Sequence, residues 1–71
     1  MQKTPRFGPL AKTFADRELP LEVLHSAAGY YLGTYDAEEG PFSRESEEYF
    51  PSAQAARDAL ERGAWTQRTE P

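Results

Sequence analysis

The chain has 71 residues, no cysteine, and 12 acids against 8 bases, for a net charge of −4. That length allows one small core and no second domain, and the missing cysteines exclude disulfides and thiolate metal sites. The acidic balance argues against direct nucleic-acid binding, which needs a basic patch, and no apolar run approaches the ~20 residues of a membrane span.

Residues 1–20 carry three of the six prolines, Pro5, Pro9 and Pro20. The first nine read as a loose tail. They hold basic residues with no apolar stretch behind them, which is not a secretory signal, so the expected setting is cytoplasmic. From Leu10 to Leu19 the pattern allows a short helix with Pro9 as its first residue. Leu10 and Phe14 share one of its faces, and the helix is ordered only if Phe14 docks on the core.

Leu21–Ser26 alternates as a strand, and Ala27-Ala28-Gly29 supplies a short turn into the aromatic run Tyr30–Tyr35. Three tyrosines and a leucine suit a pleated, half-buried surface. Tyr31, Gly33 and Tyr35 face one side, and Tyr30, Leu32 and Thr34 the other. Gly33 in mid-strand signals a bulge or a close approach of helix backbone. The short link makes the two strands an antiparallel hairpin. Asp36–Pro41 reads as a turn. Glu47–Phe50 is expected as a third, edge strand beside Tyr30–Tyr35, protected by its charges.

Ala53–Arg62 is the clearest element. Ser52 is placed as its N-cap and Gly63 as the left-handed residue after its end. Arg57–Glu61 and Asp58–Arg62 fall at i, i+4 on the solvent side. The inner stripe of Ala56, Ala59, Leu60 and Gly63 is small, so the helix can lie close to the sheet. Trp65 then closes the end of the core. The fold class expected is α+β: a three-stranded antiparallel meander with one C-terminal helix on a face, and a short N-terminal helix in addition. The organisation is residues 1–20 as a tail or short helix, 21–66 as one domain, and 67–71 as a C-terminal tail.

The residues offer little chemistry. His25 is the single histidine, and a Ser-His-Asp set drawn from Ser26 or Ser43, His25 and Asp36 has no nucleophile-elbow pattern behind it. The chain therefore reads as non-enzymatic, with no cofactor and no metal; Asp36-x-Glu38-Glu39-Gly40 lacks the ligand ladder of an EF-hand. The more informative stretch is Asp36–Glu48, with Asp36, Glu38, Glu39, Glu45, Glu47 and Glu48 against the single base Arg44. It is either a solvated loop with a protected edge or a docking surface for a basic protein partner. Arg44 reads as a clip to Glu45 or Glu48, or to a carbonyl in the loop. The partner-binding candidates are Asp36, Glu38, Glu39, Arg44, Glu45 and Glu48, with Tyr31 and Tyr35. Of the two sheet faces, whichever the helix leaves open, that of Tyr31 and Tyr35 or that of Tyr30 and Leu32, is the place for a second contact. That face is also one on which a second copy can dock as a homodimer.

The run Val23–Thr34, followed by Gly40-Pro41-Phe42-Ser43-Arg44-Glu45-Ser46, Tyr49-Phe50 and the Ala-rich helix to Arg68, resembles small uncharacterised proteins of proteobacteria found with plasmids, phages and integrative elements. The resemblance covers about residues 21–68 and brings no catalytic motif. It implies a bacterial accessory or host-interaction role. Two functions follow as expectations: a protein-interaction module docking through its acidic connection, or a nucleic-acid-linked accessory such as a DNA mimic or anti-restriction factor.

Overall fold

The structure is a computed structural model that describes residues 7–70. Its elements run α1 (Pro9–Ala15), β1 (Glu22–Ser26), β2 (Gly29–Asp36), β3 (Gly40–Arg44) and α2 (Ala53–Arg62). The three strands form one antiparallel sheet in the order β1-β2-β3, with α2 lying against β1 and β2 and α1 against β3. This is the α+β meander with a C-terminal helix that the sequence pattern predicts. The loose tail expected at the start falls mainly on residues 1–6, outside the described residues.

β1 and β2 close through Ala27-Ala28, pairing Ser26 with Gly29 and Glu22 with Gly33. Gly29 takes φ 133°, open only to a residue without a side chain. α2 starts at Ser52, whose hydroxyl accepts from Ala55 N, and stops at Gly63 with φ 68°. Its buried residues are Ala56 and Ala59, so the helix approaches the sheet through methyl groups. On its outer side Arg57 and Asp58 both hydrogen-bond Gln54.

The third strand lies earlier in the chain than the polar pattern suggests. β3 is Gly40–Arg44, whereas Glu47–Phe50 contributes only an isolated pairing of Phe50 with Tyr30. Asp36 is the cause. Its carboxylate accepts the amides of Glu38 and Glu39 at 2.8 and 3.0 Å, an Asx turn that folds the chain straight back. β3 is an edge strand, so it tolerates Pro41 and Ser43. Between the pairs Thr34–Ser43 and Tyr35–Pro41 the register shifts, leaving Phe42 as the extra residue of a bulge. Gly33 is explained here: a side-chain carbon on it would collide with the Ser43 carbonyl oxygen, so the close approach comes from β3 and not from a helix.

After β3 the lane beside β2 is filled by substitutes for a strand. Glu45 N and Ser46 N both donate to Leu32 O, the Ser46 hydroxyl accepts from Leu32 N at 3.0 Å, and Tyr30 and Phe50 exchange two backbone bonds. The C-terminal stretch pairs on the far side: Glu47 N donates to Thr66 O and Arg68 N to Glu45 O. Residues 67 and 68, read from sequence as the start of a tail, are thus stitched to residues 45–47.

α1 begins at Pro9 as expected and ends on Asp16 in the left-handed conformation, which hydrogen-bonds back to Lys12 O. The reason for its order is different. Phe14 is 57% exposed and is not part of the core, while Leu10 and Ala11 are buried.

Candidate functional site

The acidic run separates into two groups when its side chains are followed. Asp36 and Glu45 are buried, and Glu48 is half-buried. Glu38, Glu39 and Glu47 are exposed.

Glu45 has no exposed surface. Its Oε1 accepts from Leu10 N at 3.0 Å and Gln67 Nε2 at 2.7 Å, and its Oε2 from Ala11 N at 3.2 Å and the Ser43 hydroxyl at 2.7 Å. The single hydroxyl proton of Ser43 is committed to the carboxylate, so Thr34, 2.6 Å away, is the donor to Ser43. A carboxylate with four donors is satisfied in place and needs no countercharge. Two of those donors are free first-turn amides of α1. Glu45 is therefore the anchor of α1 and of the C-terminal stretch, and it presents nothing to a partner.

Asp36 is held by its turn amides and by an ion pair from Arg17, whose guanidinium also lies 5.3 Å from the centre of the Phe42 ring. The two turn amides, then Arg17, hold the Asp36 carboxyl below its ordinary value. Glu48 accepts Thr66 N on both oxygens. Partial burial pushes its carboxyl up, and the Thr66 bonds together with its own backbone amide leave it lowered. Arg44 clips neither Glu45 nor Glu48. It donates to the Tyr49 hydroxyl and lies over that ring at 4.6 Å, with its Nε buried and without a hydrogen-bond partner. Both of the expected acids are engaged elsewhere, and a tyrosine face takes the cation instead.

Tyr31 and Tyr35 lie on the same side of β2, and their surroundings differ. Tyr31 is buried against Leu24 and meets Tyr49 edge-on at 6.0 Å between ring centres, and burial pushes its hydroxyl up. Tyr35 is 44% exposed and Tyr49 41%. One side of the sheet thus carries Tyr31, Tyr49 and Arg44 as a packed group, with Tyr35 beyond them at the root of the hairpin that lifts Glu38 and Glu39. Tyr49 was not singled out from sequence; its only signal there was an aromatic pair, Tyr49-Phe50, closing a polar run.

The residues considered for catalysis are dispersed. His25 stacks on Tyr30 at 4.1 Å, and Tyr30 stands six residues along β2 from Asp36, about 20 Å in a strand. The Ser26 hydroxyl accepts from Ala28 N within the hairpin turn. Among the described residues no group of three or more metal-binding side chains occurs, and no helix is long and apolar enough to cross a membrane. No protein family, curated protein or solved structure matches the chain.

Proposed function

We propose that this chain is a cytoplasmic, non-enzymatic protein-interaction module of a bacterial accessory or mobile-element gene. It docks on a basic partner through the tip of the β2–β3 hairpin and the tyrosines behind it. The observation that carries the reading is the pairing of Tyr35, exposed at 44%, with Glu38 and Glu39 on a turn whose backbone is fixed by Asp36. Tyrosine is enriched at interface hot spots, where it buries a large area at the cost of only two side-chain torsions. Carboxylates at the rim steer a basic surface into place without themselves being buried. The hairpin presents both from a rigid base, so little order is lost on binding. The resemblance to mobile-element proteins supports the accessory setting. The DNA-mimic alternative is disfavoured, because a row of six carboxylates is not available: Asp36, Glu45 and Glu48 are committed within the fold.

The test is affinity capture from bacterial lysate with the parent chain and two variants as bait. Tyr35→Ala is expected to lose the partner at any ionic strength. Glu38→Gln with Glu39→Gln is expected to weaken capture at low salt and to match the parent at high salt, where screening has removed the carboxylate contribution. A partner retained by both variants overturns the proposal.

A further inference from the structure

We infer that the chain forms a two-fold homodimer in which β1 pairs antiparallel with β1 of a second copy, centred on Leu24. This goes beyond the hairpin surface and uses the opposite edge of the sheet.

The direction of the backbone groups decides which residues take part. Tyr30 gives both its N–H and its C=O to Phe50, and Leu32 gives its own to Ser46 and Glu45. Both residues therefore turn their polar groups away from β1. Their partners across the β1–β2 ladder are His25 and Val23. In an antiparallel ladder a pair that exchanges no bonds points its groups outward. The N–H and C=O of Val23 and His25 thus leave the sheet, and among the described residues they meet no hydrogen-bond partner. The other edge of β2 is filled from Tyr30 to Asp36 by Phe50, Ser46 and β3. β1 is the open edge, and it is lightly guarded: Glu22–Ser26 holds no proline, lysine or arginine, and Glu22 is its one charge.

A second copy of the same strand fits this edge in one register. Centring on Leu24 sets Val23 opposite His25 of the other copy and His25 opposite its Val23. All four outward N–H groups and carbonyls are then joined in four hydrogen bonds. Leu24 meets Leu24 in the close, unbonded position between them. The side chains follow. On one face Tyr31, Leu24, Leu24 of the second copy and its Tyr31 form a continuous apolar row. On the other, Tyr30 and His25, already stacked at 4.1 Å, continue into Val23 and Leu32 of the second copy. The only charge on the strand, Glu22, falls opposite the neutral Ser26. Sliding by two residues to centre on Glu22 would set two carboxylates face to face, and centring on Ser26 would give up the leucine contact. Charge and hydrogen bonding select the same arrangement, a six-stranded sheet.

The experiment combines sedimentation with residue-resolved amide exchange over a range of concentrations. A dimer is expected, with exchange at Val23 and His25 slowed about tenfold or more as the dimer fills. Leu24, whose polar groups face β2, exchanges slowly at every concentration. Leu24→Lys is expected to weaken association about tenfold or more by setting two ammonium groups together, while Glu22→Lys leaves it near the parent value. If Leu24→Lys does not fold, the exchange pattern of the parent chain decides. A monomer at all concentrations, or a dimer whose Val23 and His25 amides exchange at the monomer rate, overturns the inference.

Discussion

The Glu45 carboxylate accepts the backbone amide of Leu10 across 35 residues of sequence and that of Ala11 across 34. A seven-residue helix does not persist alone in water, so α1 exists because this carboxylate fills its first turn. Glu45→Ala is expected to free α1 while the sheet remains. Amide exchange at Leu10 and Ala11 should rise toward the unstructured rate, with Leu32 still protected. Phe14→Ser, by contrast, should change stability by less than about 0.5 kcal/mol, as for other exposed positions.

Gly8 lies against the same carboxylate. A Cβ at this position would come within 2.5 Å of both Glu45 Oε2 and Thr34 Cγ2. Both are buried and bonded, and neither can withdraw. Gly8→Ala is expected to cost roughly 1–3 kcal/mol by overpacking, measured by urea unfolding.

Ser46 replaces a strand at one point of the ladder. Its hydroxyl accepts from Leu32 N and donates to Glu48 O at 2.9 Å, and Leu32 is fully buried. Ser46→Ala leaves that amide without a partner, which costs roughly 1–3 kcal/mol. Ser46→Thr keeps the hydroxyl and is expected to recover part of the loss. A loss equal to that of alanine would show that packing around the β-carbon matters more than the bond.

Acid sensitivity follows from Asp36 and Glu48, both lowered in the fold. A carboxyl that binds its proton less readily when folded contributes stability above its unfolded value, about pH 4 to 4.5. That contribution is lost as pH falls through the lower folded value. Thermal stability should therefore fall progressively below about pH 4.5. Asp36→Asn keeps an oxygen for the Glu38 and Glu39 amides and removes the titration, so its melting curve should fall less steeply with acid than that of the parent.

Elements marked by period and punctuation were legible before the structure. The aromatic alternation of Tyr30–Tyr35 and the Ser52…Gly63 brackets of α2 depend on neighbours in sequence, and they are found where those signals place them. The existence of a third strand was legible too, but its position was not. Asp36 selects a turn through hydrogen bonds to Glu38 and Glu39, whereas polarity alone cannot tell an edge strand from a loop. The division of the acidic run was hidden for a different reason. In sequence Glu45 and Glu39 are the same residue type in the same polar setting. Only the return of α1 and Gln67 to Glu45 sets them apart, and no local pattern encodes contacts 22 to 35 residues away.

The claim that the acidic run does two separate jobs is tested most directly by urea unfolding of Glu45→Gln beside the double variant Glu38→Gln/Glu39→Gln. In Glu45→Gln the new amino group can turn toward Ser43, which then accepts instead of donating, but Ala11 N still loses its acceptor. That variant should lose roughly 1–3 kcal/mol, a large part of the stability of so small a domain. The double variant should unfold within about 0.5 kcal/mol of the parent. A Glu45→Gln chain as stable as the parent, or a double variant that loses as much as Glu45→Gln, would contradict the account.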